Sequence, residues 1–248
     1  MAAAAPANVQ NVHMAVAIDA HIAEAGYAFV RAADMRAALA AESLADWPAF
    51  AESWNDLDVD TYLAERSRYR RRRFAVYRAS SNGAIERQPH QPHYQHAEYN
   101  RLFGGVERWF SPIDATVGSG PTMTRIIGFC ARLFGSLAPA PSWRVEVHQF
   151  RIEARSDLPG EPTPEGVHRD GVDFVLVLLV NRENIVSGTT TVYDADARPL
   201  GSFTLTEPLD AALVDDRRVA HGVTPVAPLD PSRPGHRDVL VVTFAASL

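Results

Sequence analysis

His168, Asp170 and His221 are the residues whose types and spacing most clearly allow chemistry. In His168-Arg169-Asp170 the two donors stand at i and i+2, which puts both side chains on the same side of an extended segment. With His221 from a later strand they complete a two-histidine, one-carboxylate set. Such a facial triad suits Fe(II) and leaves coordination positions open for a cosubstrate and oxygen.

The triplet His-x-Asp/Glu occurs three times in the chain, so context has to choose among them. His96-Ala97-Glu98 has a later partner in His148, at nearly the separation of Asp170 from His221, but Gln95–Leu102 has the look of a turn or helix start. His236-Arg237-Asp238 follows every other histidine and has no third ligand after it. At His168, by contrast, Asp170-Gly171 runs straight into the apolar stretch Phe174–Val180, which sets the metal at a strand mouth. His221-Gly222 follows the charged corner Asp215-Asp216-Arg217-Arg218, and Arg237 opens the last apolar strand. The order His, Asp, His, Arg across strands outweighs the ordinary role of a histidine as a hydrogen-bonded structural residue.

Arg237 is the second element. A dicarboxylate that chelates iron through a 2-oxo acid end still needs a cation for its far carboxylate, and a guanidinium gives a bidentate pair. Alternation from Arg237 brings Val239, Val241 and Thr243 to one face, so Thr243 is expected as a second donor to that carboxylate. The competing expectations are a surface salt bridge from Arg237 to Asp230 and a merely β-forming Thr243.

The elements that must position these residues lie mostly after Trp143. Short β runs at Trp143–Ile152, Asp173–Asn181, Thr189–Asp194, Gly201–Leu205, Ala211–Val214, Val219–Pro225 and Asp238–Phe244 join a short strand at Val167–Gly171. No helix-length segment separates them, which predicts antiparallel strands in a double-stranded β-helix, the jelly roll of cupins. The fold class is therefore mainly β with flanking helices (α+β). Helical spacing over His21–Phe29 and Met35–Leu44, continued by Trp47, Phe50 and Trp54, predicts an N-terminal helical buttress over residues 1–65. A further helix over 122–137 is inserted in the jelly-roll core of 66–248, and the 248 residues are expected to form one domain.

All 24 basic residues are arginine. A phosphate loop that needs lysine and Schiff-base catalysis that needs a primary amine are excluded. The net charge of −6 argues against a nucleic-acid partner. The run Arg70–Arg73 is expected to be a basic approach to a strand, balanced by the acids of Asp56–Asp60. The polar segment Gln88–His96 is expected to be a solvated loop, with a lid over the site as the alternative. A single cysteine, Cys130, fits a reducing compartment. With no secretion-signal pattern and no apolar run long enough for a membrane span, a cytoplasmic location and no membrane partner are expected.

The sequence resembles bacterial 2-oxoglutarate/Fe(II) dioxygenases that hydroxylate free L-amino acids, of the L-isoleucine 4-hydroxylase kind. The likeness is carried by 167–174, by Thr189–Asp194, by 215–225 and by Arg237–Phe244, and more loosely by Tyr99–Phe110. Position by position it implies iron ligands at His168, Asp170 and His221 and the 2-oxoglutarate clamp at Arg237. The implied cofactors are Fe(II), 2-oxoglutarate and O2, and the implied reaction hydroxylates an aliphatic C–H with succinate and CO2 as coproducts. The expected partner is a small-molecule amino acid, with a homodimer left open. A carrier-bound or peptidyl amino acid, or another small metabolite, is the alternative substrate; a non-oxidative cupin-type binding protein is the alternative of a different class. For the substrate's charged groups, Trp143–Ile152 offers Glu146, His148, Gln149 and Arg151, of which alternation sends half inward.

Overall fold

The computed structural model describes residues 18–39, 44–63, 69–100, 102 and 104–247. A helix at 18–25 (α1) is followed by β1 (Tyr27–Val30), α2 (Ala32–Ala38), α3 (Trp47–Glu52), β2 (Asp58–Val59), β3 (Arg70–Ser80), β4 (Ile85–Arg87), α4 (Ala115–Gly118) and α5 (Pro121–Leu137). The second half comprises β5 (Ser142–Ala154), β6 (Phe174–Glu183), β7 (Ile185–Ser187), β8 (Thr189–Tyr193), β9 (Pro199–Thr204), β10 (Ala211–Asp215), β11 (Ala220–Val223), β12 (Val226–Pro228) and β13 (Gly235–Ser247).

Eight strands form the large antiparallel sheet, in the order β1-β10-β6-β13-β5-β3-β2 with β4 paired to β3. A smaller sheet, β11-β8-β9, and the pair β12-β7 face it. Val192 of β8 packs with Val175 of β6 and Val214 of β10, so the two layers close on one another as a double-stranded β-helix.

β6 is an almost unbroken apolar run because both of its faces are covered. Phe174, Leu176, Leu178 and Val180 face the helices, whereas Val175 and Val177 face the cavity between the sheets. The helical face of α5 meets the first set as the spacing predicts: Met123, Ile126, Ile127, Cys130, Leu133 and Phe134 are all buried. Phe134 stacks on Phe174 at 4.6 Å and meets Phe244 edge-on at 5.1 Å. Each such pair adds about 0.5–1.5 kcal/mol beyond its buried area. The N-terminal helices join the same core through Ile22, Met35, Phe50 and Trp54. Among the described residues no helix is long and apolar enough to cross a membrane.

Four expectations are corrected. The helix expected over His21–Phe29 ends at Gly26, where φ is +81°, and Tyr27–Val30 becomes the edge strand β1 on β10. Tyr27 and Phe29 stack toward Phe203 while Ala28 and Val30 enter the helical core, a period-two pattern that a short apolar window does not separate from a helical one. α2 is shorter than the Met35–Leu44 expected, and residues 40–43 lie outside the described residues. The arginines of 70–73 do not approach a strand but form the start of β3 itself; Arg66 and Arg68 lie outside the described residues. Val167–Gly171 is a single bridge followed by a turn at Gly171, whose φ is +80°. A Cβ there would come within 2.4 Å of the Tyr99 ring, so this turn requires glycine.

Candidate active site

The bridge at His168 is what assembles the triad. His168 N–H donates to the His221 carbonyl and His221 N–H to the His168 carbonyl, both at 2.9 Å. Residues exchanging both bonds across an antiparallel pair present neighbouring side chains on one face. The two imidazoles accordingly lie 4.7 Å apart, centroid to centroid. The turn after His168 brings Asp170 between them: Oδ1 is 3.8 Å from His168 Nε2 and Oδ2 is 3.9 Å from His221 Nε2.

Two of the three ligands, His168 and Asp170, are held from behind. His168 Nδ1 lies 3.0 Å from the Gly166 carbonyl, which only accepts, so the proton sits on Nδ1 and Nε2 is left for a metal. The Asp216 carboxylate accepts from the backbone N–H groups of Asp170, Gly171 and Val172 at 2.9, 2.8 and 3.2 Å, pinning the turn that carries Asp170. Replacing Asp216 by asparagine, which puts an amide where three N–H groups point, is expected to weaken Fe(II) binding about 10–100-fold, the usual cost of losing an outer-shell partner. Anaerobic Fe(II) titration of the variant measures this, and an unchanged affinity contradicts it.

The electrostatics fit a dication. Burial raises Asp170 above the usual carboxylate range, with His168 opposing and Glu165 adding to the rise. Asp216 rises through burial and then through the charge of Asp170. Burial, with the charge of His168, brings His221 down to about 4, so it is neutral at physiological pH. The carboxyl groups of Glu165, Asp170 and Asp216 crowd the two imidazoles, and a bound dication favours their charged forms. The donor set of neutral imidazole and carboxylate is that of non-haem Fe(II).

Arg237 enters the same cavity from β13 and is 2% exposed. Among the described residues its Nε and Nη2 have no hydrogen-bond partner. Burial, helped by Arg182, brings it down to about 10, so it stays a cation at neutral pH. The salt bridge to Asp230 does not form; Asp230 is taken by Ser232 and Arg233. A buried cation with unused donors fits the far carboxylate of a 2-oxo diacid.

Thr243 is corrected. Alternation holds, since Arg237, Val239, Val241 and Thr243 all line the cavity. Thr243 nevertheless lies six positions along the strand from Arg237, about 20 Å at strand rise, so the two cannot share one carboxylate. Thr190, buried and facing the cavity from β8, is the hydroxyl that the smaller sheet supplies.

The rival triplets do not assemble. His96 and Glu98 are exposed, and among the described residues the groups able to hold a metal are His168/Asp170/His221 and His93/Glu146/His148. His236 faces Asn181 at 3.2 Å and Asp238, whose carboxylate is bound by Arg151 at 2.7 Å. Of the candidates on β5, Glu146 and His148 face the cavity, while Gln149 bonds Ser53 and Arg151 bonds Asp238 on the other face. Sequence reasoning assigned the arginine run to charge balance. That balance is present, Arg73 pairing with Asp56 and Arg70 and Arg72 with Asp60, but Arg70 and Arg72 also line the cavity. The signal was the alternation Arg70, Arg72, Phe74, Val76 on an inward face. Gln88–His96 is not simply solvated either: His93 bonds Glu146, and Gln95 Nε2 donates to the Asp170 carbonyl at 3.1 Å.

Comparisons with known proteins agree with this geometry. The family model described as 2OG-Fe dioxygenase matches residues 51–243, well over half of the chain. A curated relative, the 3(1)-hydroxy-L-isoleucine 4-dioxygenase of Pantoea ananatis, is 29% identical over 111 residues, 45% of this chain and 45% of that enzyme. The chain thus matches less than half the length of that relative. Among solved structures, a bsmA homolog from Methylobium petroleophilum superposes with a TM-score of 0.86 at 33% identity, over 94% of this chain and 93% of that one. The Fe(II)/(alpha)ketoglutarate-dependent dioxygenase TqaL shares the fold, with a TM-score of 0.77 at 18% identity over 98% and 91% of the two chains. This family uses Fe(II), 2-oxoglutarate and O2. The extent of the match, on top of a triad and an unpaired buried arginine that suit those cofactors, shows that the chain belongs to the 2OG-Fe dioxygenase family.

Proposed function

We propose that this dioxygenase hydroxylates an aliphatic C–H of a free L-amino acid, converting 2-oxoglutarate and O2 to succinate and CO2. The observation that carries the reading is the cavity wall beside the triad. Val175, Val177, Val239 and Val241 form an aliphatic floor with charged groups at both ends. A polar head and an aliphatic chain suit such a cavity. The similarity to an L-isoleucine derivative dioxygenase over part of the chain supports the same substrate class.

In this reading His168, Asp170 and His221 hold Fe(II), and Arg237 anchors the far carboxylate of 2-oxoglutarate. Bound together, iron, cosubstrate and oxygen supply the oxidising power. The chain's residues do the rest. Gly166 and Asp216 fix the ligand geometry, His221 stays unprotonated, and the valine floor excludes water and holds the substrate's aliphatic chain.

The test is succinate release with gain of one oxygen atom in the product, using free L-isoleucine, L-leucine and L-methionine against their N-acetylated amides. One methylene in an apolar pocket changes selectivity by only about 1–3 kcal/mol, so several free aliphatic amino acids are expected to be accepted. Turnover confined to the blocked compounds contradicts the proposal.

A further inference from the structure

The cavity has a second polar wall, opposite in charge to the metal end. Arg70 and Arg72 project from β3, and Glu146 and His148 from the neighbouring β5. Buried Asp60 meets Arg70 at 2.9 Å but Arg72 only at 3.6 Å, so two guanidinium groups share one carboxylate. Arg72 is 3% exposed and lies between the rings of Phe110, at 3.5 Å, and Phe150, at 4.6 Å. Among the described residues its Nε has no hydrogen-bond partner. Arginine has donors only and keeps its charge in proteins, so a guanidinium buried this far, which among the described residues shares its one carboxylate partner with Arg70, favours an anion in the cavity.

The neighbouring groups define what kind of anion. Arg72 Nη2 lies 2.7 Å from His148 Nδ1. Because the guanidinium must donate, Nδ1 accepts, and a neutral His148 carries its proton on Nε2. Glu146 Oε2 accepts from His93 Nδ1 at 2.7 Å, and Oε1 from Arg144 at 2.8 Å. Burial pushes Glu146 up, but His93 and Arg144 outweigh it and hold the carboxyl below its usual range. The donor atoms of His93, Glu146 and His148 lie within 4.8 Å of one another. A second metal does not suit this cluster: Arg72 occupies His148 Nδ1, and guanidinium groups on the same wall repel a dication. An anionic acceptor a few ångströms from an imidazole donor backed by a guanidinium instead matches a zwitterion, with ammonium and carboxylate on one carbon.

We propose that Arg72, His148 and Glu146 form the head-group site for the α-amino acid, Arg72 and His148 binding its carboxylate and Glu146 its ammonium. This assignment rests on the free-amino-acid reading and names the residues that enforce it. Register supports it. His148 stands opposite Val241, and Phe150 opposite Val239, so the aliphatic floor begins beside the head group. Arg237 stands opposite Ile152, four residues further along β5 and about 13 Å away at strand rise. Substrate and cosubstrate carboxylates therefore have separate arginines.

The test uses the full chain loaded with Fe(II) and 2-oxoglutarate. The best free L-amino acid among isoleucine, leucine and methionine is compared with its des-amino acid and its carboxamide. Wild type is expected to lose about 100-fold or more in kcat/KM on each analogue, because each leaves a buried charge unpaired. Glu146→Gln is expected to raise the KM for the amino acid about 10-fold or more and to narrow the gap to the des-amino acid alone. Arg72→Gln, which removes the cation, is expected to narrow the gap to the carboxamide alone, a crossed pattern that general loosening of the pocket does not produce. Undiminished discrimination in both variants, with the free amino acid still turned over, overturns the head-group assignment and leaves the substrate reading standing. A wild-type preference for the carboxamide over the free acid overturns both. Should Arg72→Gln fail to fold, Glu146→Gln and the wild-type analogue series decide the matter.

Discussion

Replacing Arg237 with methionine raises the KM for 2-oxoglutarate by about 100-fold or more and, without the cosubstrate, raises the melting temperature. Both effects have one origin. Arg237 is 2% exposed, two of its nitrogens lack partners among the described residues, and Arg182 adds like charge. Truncating one member of a buried charge pair costs about 2–5 kcal/mol of binding, and about 2.7 kcal/mol is already 100-fold. Without the dicarboxylate there is no pair to lose, only an unpaired buried cation to remove. A gain of about 1 kcal/mol shifts the midpoint of a protein this size by about 2–4 °C. Saturation kinetics and thermal scans with and without 2-oxoglutarate read both numbers. A wild-type KM, or an unliganded variant less stable than wild type, contradicts this role for Arg237.

His221→Ala is expected to abolish turnover while leaving the fold in place. The ring is buried, yet its Nδ1 has no partner among the described residues and its Nε2 is 3.9 Å from the nearest Asp170 oxygen. The hydrogen bonds that join His221 to His168 are backbone bonds, which alanine keeps. Loss of one of the three proposed iron ligands is expected to exceed the roughly 10–100-fold cost of an outer-shell change such as Asp216→Asn. Metal content after anaerobic loading, with the far-ultraviolet spectrum as the check on folding, decides it. A variant that retains stoichiometric iron contradicts His221 as a ligand and places the metal elsewhere.

The triad was legible because it is local. His168 and Asp170 are two residues apart, His221 follows a charged corner, and each adjoins a run of alternating or continuous apolar residues that identifies a strand. The jelly-roll strands were legible for the same reason, and β13 runs beyond the Asp238–Phe244 expected, over Gly235–Ser247. What escaped depends on pairing across the fold. Arg72 lines the cavity only because β3 pairs with β5, and no local pattern brings Phe74 opposite His148. Asp216 sits in a corner whose charges suggest solvent, and its burial follows from three N–H groups 44–46 positions earlier. Thr243 was misassigned because alternation gives the face of a strand but not the distance along it.

Anaerobic titration of the Fe(II)-loaded protein with 2-oxoglutarate, followed by its weak visible charge-transfer band, tests the central claim most directly. A saturable band is expected in wild type, none in His221→Ala, and a much higher half-saturating concentration in Arg237→Met. A wild-type protein that binds Fe(II) but develops no band, or a band unaffected by either substitution, contradicts it.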